Sequence, residues 1–490
     1  MLAPYRMKMP PPDPDISFNQ WAATVIQFAR RFQVEGRHPD PCLGIQHIID
    51  VQGNSPRRGA VFRQAPHLAA ICEAEVQSLC KQGVVEPCNS PWRATAFVVK
   101  KPKGGWRLVV DYRLLNAVTR PDAYPIPRID ATIEALTGMQ FFSSMDLQSG
   151  FWQVPVHPDS RDYTAFQTPS GTYRWRGLPM GLLNSAATFQ RLMNQVLGGL
   201  PHSRCYLDDS VTGSPSFSRH LRDISEVLSR FSQYNLTVSG HKCDWCQRQI
   251  EFLGFVVSGS GVRPAPSKIA AVREFPTPTN RLGVQRFIGL VQFYKRFVPH
   301  LATIASPLFA LMPIKARFRW GPKEQAAMRE IQDRLTNAPL LAQPNFSRPF
   351  VVYVDASDVG LGCVLGQRYD TQERVILYGS RRLSKVEQNY AAYHRECAGI
   401  IWAVHHCRPY LLGRPFTIIT DHHALKWLRQ KKDLYGKLGR WFATLEEYHY
   451  TIEHRPGKLM GHVDALSRAE EVRRGEPARD EEIGRASGRE

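Results

Sequence analysis

The chain has 490 residues, of which 43% are hydrophobic and 22% charged, the usual proportions of a globular protein. No run of 18 apolar residues occurs and the ten cysteines are scattered, which argues against a membrane protein, a secreted protein and a disulfide scaffold. The 63 Lys and Arg exceed the 44 Asp and Glu, for a net charge of +19. This excess favours a polyanionic partner such as nucleic acid, although a basic solvated surface would give the same count.

The first part of the chain changes character at residue 65. Residues 1–64 are predicted to be weakly ordered, because four prolines fall within 10–14 and a polar loop follows at 54–59. Residues 65–260 are predicted to form an α+β domain with carboxylates at strand ends. Its predicted elements are a helix at 69–81, strands at 94–100 and 106–110 joined as a hairpin by Gly104 and Gly105, a strand at 141–145 ending in Asp146, β segments at 204–207 and 211–212 around an acidic turn, and a helix at 218–234.

The second part begins with helical sequence broken by prolines, which predicts a helical subdomain over 261–312 and a tether over 313–348. A new domain is predicted over 349–468, because β-rich runs at 350–354, 361–365 and 375–378 follow one another. Ser384 and Glu387 form a capping box that predicts a helix running to Arg408. The remaining predicted elements are strands at 416–420 and 448–454, a short helix near Asp464, and a disordered tail at 469–490.

Two adjacent acids, Asp208 and Asp209, fall at the predicted hairpin turn, and Asp146 ends another apolar strand. Adjacent carboxylates repel one another unless a cation neutralises them, and hard oxygen ligands select Mg²⁺ or Mn²⁺. Two metal ions held by three carboxylates can clamp the attacking and leaving oxygens of a phosphoryl displacement. Taken alone, however, the motif is also explained by an ordinary solvated turn.

The sequence around these acids resembles the reverse transcriptases of LTR retroelements, most closely those of gypsy-type (metavirus) retrotransposons. The resemblance covers about residues 65–468 and follows the order and spacing of the family's motifs. The segments that carry it are Asn89-Ser90-Pro91-Trp92, the run from Trp106 to Arg113, Met145-Asp146-Leu147-Gln148-Ser149-Gly150-Phe151, Gly181-Leu182 through Ala187-Thr188-Phe189-Gln190, and Phe252-Leu253-Gly254-Phe255.

The resemblance implies a right-hand polymerase with fingers and palm over 65–260 and a thumb over 261–312. It implies that Asp146, Asp208 and Asp209 are the palm carboxylates that hold two Mg²⁺ or Mn²⁺ ions. The substrate-binding residues that it implies are Lys100 and Arg107 for the triphosphate, Tyr206 beside the acids, and Phe151 as a ring that leaves no room for a ribose 2′-hydroxyl. Lys101 and Lys103 compete with Lys100 for its role.

Further segments resemble the primer grip, at 252–255, and the thumb helix that tracks the duplex, at 281–298. The chain departs from the family at Met180, where an aromatic residue is usual, and at Ser185-Ala186, where Ala-Pro is usual. These departures bear on the shape of the nucleotide pocket rather than on the chemistry.

Four further acids stand at predicted strand ends and helix faces of the last domain: Asp355, Glu396, Asp421 and Asp464. Glu396 shares a mostly apolar helical stripe with Ala392, Tyr393 and Ile400, where an unpaired carboxylate is costly. A metal ion would make that position tolerable, although surface acids and one core glutamate would give the same pattern.

The segments around these four acids resemble the ribonuclease H domain of the same elements, an α/β domain. They are Tyr353-Val354-Asp355-Ala356-Ser357, Tyr393-His394-Arg395-Glu396-Cys397, Thr420-Asp421-His422-His423-Ala424-Leu425 and Asp464-Ala465-Leu466-Ser467-Arg468. The resemblance implies that the four acids bind two Mg²⁺ or Mn²⁺ ions and cut RNA paired to DNA.

Two other groups are weaker candidates for chemistry. His241, Cys243 and Cys246 suggest zinc but lack a fourth ligand. His462 precedes Asp464 and could shuttle protons, although His422, His423 and His454 compete for that role.

We expect a two-headed enzyme, an RNA- and DNA-templated DNA polymerase with ribonuclease H, because all seven acids are present. The alternative is a decayed or domesticated retroelement copy that binds nucleic acid without catalysis. The expected partners are an RNA template, a DNA primer, an RNA/DNA hybrid and deoxynucleoside triphosphates, without a membrane; monomer and homodimer both stay open. The resemblance further implies a segment of a longer polyprotein, located in the cytoplasm or in virus-like particles there.

Overall fold

The computed structural model describes residues 7–32, 39–59, 65–101, 104–369, 372–420 and 436–455. It divides into two compact units. One comprises the residues up to Leu253 together with Val257–Gly259, and the other comprises Gly254–Val256 and the residues from Ser260 onward. Within the described residues no helix is long and apolar enough to cross a membrane.

The described helices fall in both units. They are α1 (Phe18–Ile26), α2 (Pro66–Lys81), α3 (Arg113–Asn116), α4 (Ile129–Glu134), α5 (Gly150–Gln153), α6 (Ser185–Val196), α7 (Phe217–Gln233), α8 (Pro266–Arg273), α9 (Arg281–Phe293), α10 (Leu301–Ile304), α11 (Ser306–Ala310), α12 (Pro322–Thr336), α13 (Lys385–Gln388), α14 (Ala392–His406), α15 (Arg408–Leu411) and α16 (Gly436–Leu445).

The described strands are β1 (Val85–Pro87), β2 (Ala94–Lys100), β3 (Trp106–Asp111), β4 (Phe141–Asp146), β5 (Phe166–Thr168), β6 (Gly171–Trp175), β7 (Ser203–Tyr206), β8 (Asp209–Ser214), β9 (Asp244–Gln247), β10 (Gln249–Phe252), β11 (Phe255–Ser258), β12 (Gly261–Pro264), β13 (Phe350–Ala356), β14 (Gly360–Tyr369), β15 (Gln372–Arg382), β16 (Pro415–Thr420) and β17 (His449–His454).

Two sheets of the described residues lie wholly in the first unit, and a third, of order β10-β11-β12, begins there. The hairpin sheet has the order β1-β6-β5-β2-β3, and its predicted β2–β3 hairpin is confirmed, with Gly104 and Gly105 at φ 91° and 79°. The acidic sheet has the order β7-β8-β4-β9. Helix α7 packs on β4 and β8 of the acidic sheet and buries Ile224, Leu228 and Phe231, which lie on one face because helical neighbours recur every three to four residues.

The N-terminal segment differs from its prediction as weakly ordered. Helix α1 packs into the core of the first unit, where the indole of Trp21 is fully buried with its ring centroid 6.0 Å from that of Trp245. Arg248 donates to both Asp13 and Asp15, which ties the proline-rich stretch to the sequence after β9. Residues 7–32 are held in place because they cover apolar surface that residues far along the chain provide.

The C-terminal sheet lies in the second unit and has the order β15-β14-β13-β16-β17. Strands β13, β14 and β15 confirm the three successive β-rich runs as strands, and they form an antiparallel meander, whereas β13–β16 and β16–β17 are parallel pairs. Helix α14 packs closely on β13, and Gly399 permits this approach. A Cβ atom at Gly399 would lie only 3.3 Å from the side chain of Val354.

The long helix predicted from Ser384 to Arg408 is wrong in its extent. The capping box of Ser384 and Glu387 is present, but it opens only the short helix α13, and Ala391 has an extended backbone (φ −57°, ψ 151°) before α14 begins. Pro409 lies in the first turn of α15, a position that needs no backbone donor. The finer division at residues 65, 261, 313 and 349 stays a prediction.

Candidate active sites

Three acids meet at one end of the acidic sheet. Asp146 is the last residue of β4 and Asp209 the first of β8, and the two are directly paired in the antiparallel register. Paired residues on antiparallel strands hold their Cβ atoms about 4.5–5.5 Å apart. Asp208 lies in the turn that precedes β8, with its side chain exposed. The strand pairing thus brings Asp146 next to the two adjacent acids that lie more than sixty residues further along the chain.

The turn that carries Asp208 has a strained backbone held by a buried side chain. Leu207 is left-handed at φ 55°, a conformation that a residue with a branched side chain adopts at a cost. Its N–H donates to Oε1 of Gln190 at 2.8 Å, while Nε2 of Gln190 donates to the carbonyl of Cys205 at 3.3 Å. Gln190 is fully buried in α6, so the strained turn is fixed from the interior.

The surroundings raise the proton affinity of two of the acids, Asp146 and Asp209. Although the side chain of Asp209 is exposed, crowding by surrounding protein atoms raises its pKa, and the charges of Asp208 and Asp146 raise it further. Burial likewise raises the pKa of Asp146, against the opposing effect of Lys242. Negative charge is therefore concentrated here, and a cation would stabilise the ionised carboxylates.

Lys242 places a positive charge beside the acids. Its Nζ lies 3.3 Å from Oδ1 of Asp146, and the N–H of Ser239 donates to the Asp146 carbonyl at 2.8 Å. Sequence reasoning missed both Lys242 and Gln190 as functional residues. A long polar side chain on the mostly apolar buried face of α6 is a signal that could have revealed Gln190.

The donor chemistry at the acidic sheet fits Mg²⁺ or Mn²⁺, because three carboxylates offer hard oxygen ligands. As the side chains stand, however, no three His, Cys, Asp or Glu residues of the described segments are arranged to hold an ion. Asp146 is engaged by Lys242 instead.

The zinc hypothesis at His241, Cys243 and Cys246 gains no support. Burial raises the pKa of both thiols to about 12, which keeps them protonated. The thiol of Cys243 donates to the carbonyl of Ser239 at 3.3 Å. Both cysteines belong to the hydrophobic core.

The two cations predicted to hold a triphosphate lie on one hairpin but on opposite faces of it. Lys100 pairs with Trp106, whereas Arg107 pairs with Val99, and successive residues of a strand point to opposite faces. Both side chains are exposed. The register thus does not place them side by side, and their roles stay predictions.

Phe151 lies close to the acids along the chain and is held against the core. It is half-buried in the short helix α5, and its ring stacks on that of Phe189 with centroids 4.8 Å apart. Gly150 is needed there, because a Cβ atom would lie 3.0 Å from Phe189. Phe151 therefore has a partly open ring that the core fixes in place.

Tyr206, the last residue of β7, pairs with Asp209.

In the second unit, Asp355 lies near the end of β13 and is half-exposed. Glu396 is buried on α14, the helix that packs on β13, as its apolar stripe predicted. Asp421, Asp464 and His462 lie outside the described residues. Asp421 directly follows β16, which is parallel to β13 with Ile419 opposite Tyr353.

Two stretches of the chain, one around each site, match known protein families. Residues 99–257 match the family model described as "Reverse transcriptase (RNA-dependent DNA polymerase)", and residues 345–448 match that of the "RNase H-like domain found in reverse transcriptase". The chain carries a reverse transcriptase domain followed by an RNase H-like domain. Asp146, Asp208 and Asp209 lie in the reverse transcriptase domain, and Asp355 and Glu396 lie in the RNase H-like domain.

The curated relatives are polyproteins of LTR retrotransposons. The chain is 36% identical over 432 residues to the retrovirus-related Pol polyprotein from transposon 297 of Drosophila melanogaster, which covers 86% of this chain and 40% of the relative. It is 30% identical to the transposon Tf2-3 polyprotein of Schizosaccharomyces pombe, over 88% of this chain and 33% of the relative. The chain thus spans less than half the length of the relatives that it matches.

Solved structures share the fold. A foamy viral protease-reverse transcriptase in complex with double-stranded DNA superposes with a TM-score of 0.81 at 22% identity, covering 92% of this chain and 95% of that one. The same kind of protein in complex with an RNA/DNA hybrid gives 0.73 at 22% identity, covering 90% and 61%. The predicted right-hand polymerase followed by an RNase H-like α/β domain is confirmed as the fold.

Proposed function

We propose that this chain is a reverse transcriptase that makes DNA on RNA and DNA templates and cleaves the RNA strand of RNA/DNA hybrids. The observation that carries the proposal is the direct pairing of Asp146 with Asp209 beside the exposed Asp208. Two paired strands thereby present three carboxylates at one sheet end, within the residues that match the reverse transcriptase model. Such an arrangement suits two-metal phosphoryl transfer.

In DNA synthesis, Asp146, Asp208 and Asp209 would hold two Mg²⁺ or Mn²⁺ ions, whose chemistry is to activate the attacking 3′ oxygen and stabilise the leaving pyrophosphate. Gln190 keeps the turn of Asp208 in place through Leu207. Lys100 and Arg107 would bind phosphate oxygens, and Phe151 would exclude a 2′-hydroxyl from the sugar pocket.

In RNA cleavage, Asp355 and Glu396, with Asp421 and Asp464, would hold the second pair of ions. Glu396 is buried on α14, the helix that packs on β13, so the packing of the domain core fixes the position of its carboxylate. The 2′-hydroxyl and the shape of the hybrid, rather than base edges, would select the substrate.

Nucleic acid duplexes are the proposed partners. The foamy viral relatives of this fold were solved in complex with double-stranded DNA and with an RNA/DNA hybrid. The net charge of +19 suits a polyanion. RNA template, DNA primer, deoxynucleoside triphosphates, homodimer formation and a cytoplasmic location stay predictions.

The test is primer extension on a labelled RNA template, with DNA synthesis and RNA loss scored in one tube with Mg²⁺ or Mn²⁺. We expect both extension and shortening of the template. The competing hypothesis, a decayed copy that only binds nucleic acid, predicts that the chain shifts the duplex in a gel while neither reaction occurs. All seven acids are present, which favours catalysis.

A further inference from the structure

A histidine from outside the RNase H-like match lies beside one of its acids. His300 directly precedes the short helix α10, and residues 345–448 are the ones that match the RNase H-like model. Its Nδ1 lies 3.7 Å from Oδ2 of Asp355, and both side chains are half-exposed. This separation is slightly too long for a hydrogen bond, and a small rotation of either side chain would close it.

The backbone at His300 is held in an uncommon conformation. His300 is left-handed (φ 52°, ψ 26°), and residues other than glycine adopt that region at a cost. Two residues later, the N–H of Ala302 donates to Oγ of Ser380 on β15 at 3.1 Å. Helix α10 is thereby fixed to the meander of the C-terminal sheet.

The sheet also leaves room for the imidazole. Gly362 is directly opposite Asp355 in the register of β13 and β14. A Cβ atom at Gly362 would lie 3.0 Å from Nδ1 and 3.2 Å from Cε1 of His300. A side chain at this position would force the imidazole to shift by a few tenths of an ångström, so the glycine opposite the acid forms the slot in which the imidazole sits.

We propose that His300 is a positioning residue of the nuclease site, which would hold Oδ2 of Asp355 and leave the other oxygen to bind an ion. The proposal rests on the ribonuclease H activity proposed above. A ring N–H can donate to a carboxylate in either charge state of the imidazole. Groups that bind a metal-ligating carboxylate are worth about 10–100-fold in metal affinity or activity. The nuclease site would thus include a residue from the helical segment that precedes its domain.

The decisive comparison is between His300→Asn and His300→Gly in the full chain. Asparagine and glycine both tolerate the left-handed backbone, but only asparagine offers a donor close to the position of Nδ1. We expect His300→Gly to lower the rate of hybrid RNA cleavage by about tenfold or more, and His300→Asn to restore most of it. DNA synthesis by the same preparations reports that each chain is folded.

A second variant approaches the same contact from the sheet. Gly362→Ala keeps both the histidine and the acid but fills the slot. We expect it to lower cleavage as His300→Gly does, and the double variant to be no worse than either single one, because both changes break one contact. Additive losses would contradict the proposal.

Metal binding gives a readout independent of turnover. In a background with Asp208→Asn and Asp209→Asn, calorimetric titration with Mn²⁺ reports on the remaining nuclease site. We expect His300→Gly to bind Mn²⁺ about tenfold more weakly than His300→Asn. Equal affinities and equal cleavage would overturn the role of His300 while Asp355→Asn still abolished cleavage. A wild type that never cleaves hybrids would overturn the proposed nuclease activity itself, and the role of His300 with it.

Discussion

Oε1 of Gln190 accepts a hydrogen bond from the N–H of Leu207 at 2.8 Å, so a fully buried amide holds the strained residue next to Asp208. Gln190→Met keeps the length of the side chain and removes its hydrogen bonds with the N–H of Leu207 and the carbonyl of Cys205. We expect DNA synthesis to fall by about tenfold or more while hybrid cleavage persists, because only the acidic turn is released. The control is Gln195→Met on the same helix, where the side chain is exposed. Equal activity of the two variants in primer extension would show that the turn before Asp208 keeps its conformation without Gln190.

The two acid sets lie in different compact units, so their activities should separate. Asp208→Asn should abolish DNA synthesis and leave RNA cleavage, and Glu396→Gln should do the reverse. Primer extension and hybrid cleavage are measured on the same preparations, with the melting temperature as the check on folding. Loss of both activities from either change in a folded chain would contradict the two-site interpretation.

Protonation of a buried histidine should make the first unit sensitive to acid. His220 is fully buried between the hydroxyls of Ser143 and Ser214, and burial lowers its pKa to about 4 from the usual 6.5. The unfolded chain therefore binds the proton first, and stability that is complete above pH 6.5 is lost as the pH falls toward 4. The loss should approach about 3 kcal/mol, at 1.36 kcal/mol per pKa unit.

The test of this loss is the free energy of unfolding of wild type and His220→Gln between pH 7 and pH 4. The difference between them should shrink as the pH falls, because the variant has no such proton to bind. His157→Gln, at a partly exposed position, serves as the control for the removal of a histidine. A constant difference for His220→Gln would remove His220 as the cause.

Binding to a primer-template duplex should weaken steeply with salt, because lysine and arginine contacts to phosphates release counterions. Arg286 is exposed on α9, which belongs to the segment that resembles the thumb. Arg286→Gln should reduce the slope of log affinity against log salt by about 1 if it contacts one phosphate. Arg329→Gln, exposed on α12, is the matched control. A wild-type slope near zero would contradict electrostatic binding.

Phe151 should set the selectivity for the sugar. Phe151→Val removes ring volume without touching an acid, so deoxynucleotide incorporation should largely survive. Ribonucleotide incorporation should rise by about tenfold or more, a difference of about 1.4 kcal/mol. The measured quantity is the ratio of the two incorporation efficiencies on one template. An unchanged ratio in an active variant would assign Phe151 to the core alone, through its stacking on Phe189.

The sequence predicted the acidic strands well because their signals are local. The apolar run that ends in Asp146 and the acidic turn before β8 each need only a few residues to specify a strand and its end. The pairing of Lys242 with Asp146 joins positions 96 residues apart, and no local pattern announces it. The contact of His300 with Asp355 depends in the same way on a slot opposite the acid that only the strand register reveals.

The errors have physical causes too. No proline or glycine interrupts the sequence between α13 and α14, so helical periodicity continues through the break at Ala391 and the sequence pattern does not mark it. The N-terminal helix follows a stretch rich in proline, and its burial of Trp21 depends on Trp245, a residue far along the chain.

The burial of Trp21 against Trp245 also decides where the molecule can be cut. A fragment trimmed to the family match at residues 99–257 would lose the indole that covers Trp245 and the acidic partners of Arg248. It would expose apolar surface beside β9, an edge strand of its sheet, and such edges recruit other chains. The smallest piece of this polypeptide that keeps its core covered is therefore set by packing across the chain, and it extends well beyond residues 99–257.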